Sequence, residues 1–176
     1  MKLSKLTAFS ASAATLMLVS SQVFAHPGHD TGNSPLLNGL LHPFTGTDHL
    51  LALTGLGAVA ALLTRTGATR NLLAMITALT IGAIGGLLSS TASQLELLVG
   101  LSLLALPALL ISHRGGQLAQ QLALSAALLF SLAHGAVQGS ESAGMLSTIA
   151  GLLTSSSLLL AAGYSAARTA LSKMPT

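Results

Sequence analysis

Residues 36–63 read LLNGLLHPFTGTDHLLALTGLGAVAALL. The run is long enough to cross about 30 Å of hydrocarbon as a helix. Ionisable side chains inside such a segment are costly, and they persist where they serve a function. His42 and His49 are seven residues apart, two helical turns, which places them on one face. Asp48 lies about 100° around an ideal helix from His49, within reach if the backbone deforms. Pro43 and Gly46 favour that deformation. A broken hydrogen-bond ladder frees carbonyls beside the imidazoles, as in the discontinuous helices of transport sites. The alternative is that Asp48 only orients a core histidine. Two histidines and an aspartate within eight residues of an apolar run are too costly for packing alone.

Four further apolar segments follow, at about residues 72–88, 95–111, 118–137 and 145–166. Short connections make neighbours antiparallel. The expected fold is all-α, a polytopic transmembrane helix bundle of about five spans. Composition agrees: 51% of the 176 residues are hydrophobic and 6% charged, against roughly 25% charged in a soluble domain. The mean hydropathy is +0.76. The net charge of +3 is scattered and forms no basic face, which argues against a nucleic-acid partner. Cysteine is absent, so any metal must be held by imidazole, carboxylate, amide or backbone groups. Gly82-x-x-x-Gly86 and Gly135-x-x-x-Gly139 allow close helix approach. Such faces would also serve a homo-oligomer.

Residues 1–25 are expected to be a cleavable signal peptide. Lys2 and Lys5 precede the apolar run Leu6–Val19, and Val23 and Ala25 are small residues at −3 and −1 of a cleavage site. An uncleaved anchor is the alternative. An exported tail, residues 26–35, and a transmembrane domain, residues 36–176, complete the expected organisation. Arg65, Arg70, Arg114, Arg168 and Lys173 all fall on one side of the expected bundle, whereas Ser89–Gln94 and Gln138–Gly144 contain no Lys or Arg. The positive-inside rule puts the basic side in the cytoplasm. The expectation is a multi-pass protein of a bacterial inner membrane, N-terminus out and C-terminus in.

Two more segments bring polar groups to the outer side. Glu96 opens the third span, either as a ligand or as a helix-start carboxylate favoured by the macrodipole. His134, Gln138 and Glu141 follow one another at i, i+4 and i+7, one helical stripe; a solvated loop carboxylate is the alternative for Glu141. The tail supplies His26, His29 and Asp30. A histidine freed as the N-terminus chelates through its amine and its imidazole, although a solubilising stub would look similar. Imidazole and carboxylate suit first-row divalent ions such as Ni, Co, Zn or Cu(II). The candidate metal ligands are therefore His26, His29, Asp30, His42, Asp48, His49, Glu96, His134, Gln138 and Glu141. His113, beside Arg114, is expected to be a surface histidine.

These residues resemble the hydrogenase/urease accessory permease family HupE/UreJ. His42-Pro43-x-x-Gly46-x-Asp48-His49 is similar to that family's HPxxGxDH signature, and His26-Pro27-Gly28-His29 resembles its N-terminus after the signal. Glu96 resembles its third-span acidic position, and His134-Gly135…Gly139-x-Glu141 is similar to its HGxxHGxE stretch. The resemblance covers essentially the whole mature chain. It implies movement of nickel, sometimes cobalt, across the inner membrane to supply metalloenzymes. There are two departures. Gln138 stands where the second histidine of that stretch is expected, and Leu53 where Met is frequent. Loss of the thioether weakens a Cu(I) reading, because soft ions want sulfur.

The expected function is a secondary permease or facilitator for a divalent transition metal, with Ni2+ as first substrate and Co2+ as second. No GxxxxGK[ST] loop is present, so the chain carries no ATP-binding motif. No HExxH or GxSxG motif is present to suggest an enzyme. A membrane subunit that binds or senses metal without transport, and a permease for copper or zinc, remain as alternatives.

Overall fold

The computed structural model describes residues 34–64, 67–89 and 95–173. The expected signal peptide, residues 26–33 of the tail with His26, His29 and Asp30, and Arg65 lie outside the described residues, whereas the last two tail residues, Ser34 and Pro35, belong to the start of the first helix. Among the described residues the ordered elements are all helical: α1 (Pro35–Thr45), α2 (Thr47–Leu63), α3 (Ala68–Leu88), α4 (Glu96–Ile111), a 3-10 turn (Ser112–Arg114), α5 (Gln117–Glu141) and α6 (Leu146–Ser172). Helices α3, α4 with its turn, α5 and α6 are each long and apolar enough to cross a membrane. The pair α1 and α2, bent by 77°, is a fifth candidate.

The first expected span is thus two helices rather than one, for a local reason. Ser34 caps α1 by accepting from Leu37 N–H, and Pro35 sits in the first turn, where its missing donor does no harm. Pro43 has no N–H for the carbonyl of Gly39; the hydroxyl of Ser155 on α6 lies 3.4 Å from that oxygen instead. Gly46 then adopts an extended conformation, φ −88° and ψ 109°, ending α1 and starting α2. Helix α5 continues past the expected end at Val137 as far as Glu141. His134, Gln138 and Glu141 are therefore all helical.

Apolar side chains fill the interior: Leu53, Leu56 and Val59 from α2, Met75 and Leu79 from α3, Phe130 from α5, and Leu159 and Leu160 from α6. The outside is apolar as well, with Leu73, Ile81, Ile84, Leu122, Leu129 and Leu158 exposed. A helical bundle with an apolar exterior and internally satisfied backbone is what hydrocarbon requires. Chain alternation puts the starts of α2, α4 and α6 and the ends of α3 and α5 at one end of the bundle. Arg70, Arg114, Arg168 and Lys173 lie toward the other.

Helices α3 and α5 approach through glycine. A Cβ at Gly82 or Gly86 would strike the carbonyls of Leu132 or Ala136, and one at Gly135 or Gly139 those of Leu79 or Ala83. The glycine-spaced faces expected to serve an oligomer thus close on each other within the chain. Overpacking costs about 1–3 kcal/mol when side chains give way, and here backbone would have to move. Gly135→Leu should therefore fail to give a monodisperse peak in detergent size-exclusion chromatography. Gly100→Leu, where an added Cβ meets nothing within 4 Å, should elute like the parent.

Candidate metal site

Asp48 and His49 lie in the first turn of α2, immediately after the break at Gly46. A helix start favours a carboxylate. There Asp48 Oδ2 is 3.1 Å from His49 Nδ1. A carboxylate accepts, so Nδ1–H of His49 donates and the lone pair of the neutral ring sits on Nε2. That Nε2 is buried without a hydrogen-bond partner.

His42, near the end of α1, reaches across the break. Its ring centroid is 5.5 Å from that of His49, edge-on at 77°. Its Nε2 is 3.2 Å from Oε2 of Glu141, the last residue of α5. His134, two turns earlier on α5, has its ring 5.4 Å from that of His49 at 82°. His134 Nε2 is 3.1 Å from the hydroxyl of Ser102 on α4, and its Nδ1 is buried without a partner. Three imidazoles from α1, α2 and α5 therefore form a continuous string. Burial deepens along it: side chains are 28% and 38% exposed at His42 and Glu141, 6% and 10% at His49 and Asp48, and His134 is fully buried.

The structure brings His42, Asp48, His49, His134 and Glu141 together. Gln138 turns elsewhere: its amide donates to the Ser156 hydroxyl at 3.0 Å and accepts from it at 3.1 Å. Glu96 is exposed at the start of α4 and lines a cavity of about 620 Å³ with Leu88, Ser89, Gly139, Ser140 and Gly144. None of the three histidines lines that cavity. Among the described residues, no three His, Asp or Glu side chains are arranged to hold one ion together. A cation would have to displace Glu141 from His42 Nε2, whereas His49 Nε2 and His134 Nδ1 have no hydrogen-bond partner to give up. His113 lies at the opposite end, its Nδ1 2.6 Å from the Leu110 carbonyl. Leu53 is fully buried in the core.

Two polar partners escaped the sequence reading, Ser102 and Ser156. Serine inside an apolar helix ordinarily satisfies itself on its own i−3 or i−4 carbonyl, as Ser131 does on Ala127. Neither residue carries a spacing signal that would set it apart from such serines.

Comparison with curated proteins and with solved structures gave no match to the chain. A family model described as HupE / UreJ protein matches residues 14–176, nearly the full length, and the chain belongs to that family.

Proposed function

We propose that the chain is a secondary permease or facilitator that moves a divalent transition-metal cation across the bacterial inner membrane toward the cytoplasm to supply metalloenzymes. Nickel is the first substrate and cobalt the next. The observation behind this reading is the string of imidazoles running from partly exposed His42 to fully buried His134, with two buried ring nitrogens that have no hydrogen-bond partner. A buried unsatisfied polar group costs about 1–3 kcal/mol, and native structures contain few of them. Two on adjacent rings are suited to take up a cation. The family is associated with nickel and cobalt accessory permeases and is transporter-like rather than enzymatic, which supports the same reading.

The chemistry of the donors fits the cargo. Imidazole nitrogen suits nickel, cobalt and zinc, while the absence of cysteine removes the ligand that soft ions prefer. Asp48 and Glu141 bring negative charge to two successive steps of the string. Transport needs binding favourable enough to admit the ion and weak enough to release it. The His42–Glu141 contact supplies that balance, opening to the ion and closing behind it, while the Asp48 hydrogen bond keeps His49 Nε2 turned toward it. In this reading the histidine end is periplasmic, because the basic residues gather at the other end. His26, His29 and Asp30 collect ions outside, Glu96 guards the neighbouring cavity, and Gln138 braces α5 against α6.

The test is uptake into proteoliposomes with a panel of nickel, cobalt, zinc and copper ions. Nickel should enter fastest. His42→Ala should raise the half-saturating nickel concentration about 3–10-fold while leaving the maximal rate within about 2-fold, the pattern of a lost capture contact. Uptake no faster than in protein-free vesicles for every ion would overturn the proposal. If metal binding survived in that case, the chain would be a binding subunit.

A further inference from the structure

The hydroxyl of Ser102 makes two contacts of different kinds. It donates to the carbonyl of Val99, at 2.6 Å, within its own helix. It also lies 3.1 Å from His134 Nε2 on the neighbouring helix. A hydroxyl has one hydrogen to donate and lone pairs to accept with. With the hydrogen committed to Val99, the oxygen can only accept from His134, so Nε2 of that ring carries the hydrogen. In a neutral imidazole the other nitrogen, Nδ1, then bears the lone pair. Nδ1 is the atom of His134 that is buried without a partner.

The same logic runs independently on the other ring. Asp48 accepts from His49 Nδ1–H, which leaves the lone pair on His49 Nε2, also buried without a partner. Two adjacent imidazoles are thus each fixed by an outer hydrogen bond, and each is left with an unpartnered lone pair. The two ring centroids are 5.4 Å apart, edge-on, close enough for one ion with metal–nitrogen bonds of about 2.0–2.1 Å to bridge the rings once both lone pairs turn toward it. Ligating histidines ordinarily owe their tautomer to such an outer acceptor.

We infer that Ser102 is a positioning residue of the transport site, holding His134 as the Nε2–H tautomer so that its Nδ1 lone pair, together with Nε2 of His49, meets a divalent cation. This rests on the proposed function, in which His134 is a ligand of the transported ion.

The experiment uses the full chain in lipid nanodiscs, with 15N-labelled histidine for NMR and Co2+ as the binding probe. The His134 resonances are assigned by their disappearance in His134→Leu. The parent should show His134 with hydrogen on Nε2 and a bare Nδ1, and Zn2+, as a diamagnetic probe, should shift the Nδ1 signal. Ser102→Ala leaves neither ring nitrogen with a partner, so the single tautomer should give way to a mixture and Co2+ binding should weaken about 10-fold, the lower end of what outer-shell partners carry. Ser102→Thr, which keeps the hydroxyl, should restore the parent tautomer and affinity. An unchanged tautomer and affinity in Ser102→Ala would overturn the inference. If that occurred while His134→Leu lost Co2+ binding, the transport site would stand and only the role of Ser102 would fall. If His134→Leu bound Co2+ as tightly as the parent, the site itself would fall, and the assignment of Ser102 with it.

Discussion

His134→Leu should leave the protein folded, with a thermal midpoint at or above that of the parent, and should lower nickel uptake on the order of 100-fold. The two halves of this expectation come from the same atom. His134 is fully buried on α5, and its Nδ1 has no hydrogen-bond partner. An unsatisfied buried group of this kind costs about 1–3 kcal/mol. Its one polar contact, to Ser102, is dispensable for Ser102, whose hydroxyl keeps the Val99 carbonyl at 2.6 Å. Leucine fills the space without leaving a donor or acceptor behind. At about 2–4 °C per kcal/mol for a chain of this size, the midpoint should rise by several degrees. Transport should nevertheless fall on the order of 100-fold, since losing a ligand exceeds what outer-shell partners carry. Differential scanning fluorimetry and radioactive nickel uptake on one preparation read both quantities. Retained uptake would make His134 a core residue. A fallen midpoint would make its imidazole a structural element.

That trade between stability and function explains which parts of the molecule were legible in its sequence. The costly residues were legible. His42, Asp48 and His49 break an apolar run, and nothing in lipid keeps such residues except a role. Pro43 and Gly46 announced the interrupted ladder, but not the bend of 77°; that angle follows from where α1 finds partners on α6, with Gly39 against Thr148 and Gly151 against Leu36. The glycine spacing on α3 and α5 announced close approach without naming a partner, because a one-dimensional pattern cannot distinguish contact within a chain from contact between chains. The carboxamide of Gln138 looked like a ligand by its position between His134 and Glu141. Its fate depended on Ser156, one serine among three consecutive ones on α6. Ser102 was invisible for the complementary reason: a hydroxyl that bonds its own helix carries no cost that a sequence could reveal.

Asp48→Asn should lower nickel uptake by about 100–1,000-fold while changing the fold little. Among the described residues Asp48 is the one buried carboxylate. The asparagine carbonyl can still accept from His49 Nδ1–H, so the 3.1 Å contact and the ring orientation survive. What disappears is charge. Unit charges about 4 Å apart at an effective dielectric constant near 20 interact by about 4 kcal/mol, and a dication doubles the attraction before relaxation and water reduce it. Retaining about 3–4 kcal/mol of that loss gives the stated range, at about 1.4 kcal/mol per tenfold. Asp48→Ala removes both charge and orientation and serves as the reference; Asp48→Glu keeps the charge and should recover part of the rate. If Asn transported as well as Asp while Ala did not, the carboxylate would act only by holding His49 in place. The ion's charge would then be met elsewhere, and Glu141, partly exposed beside His42, would be the group to replace next. If Asn and Ala were equally poor and Glu partly active, the negative charge itself would be what carries the cation past the break in the first span.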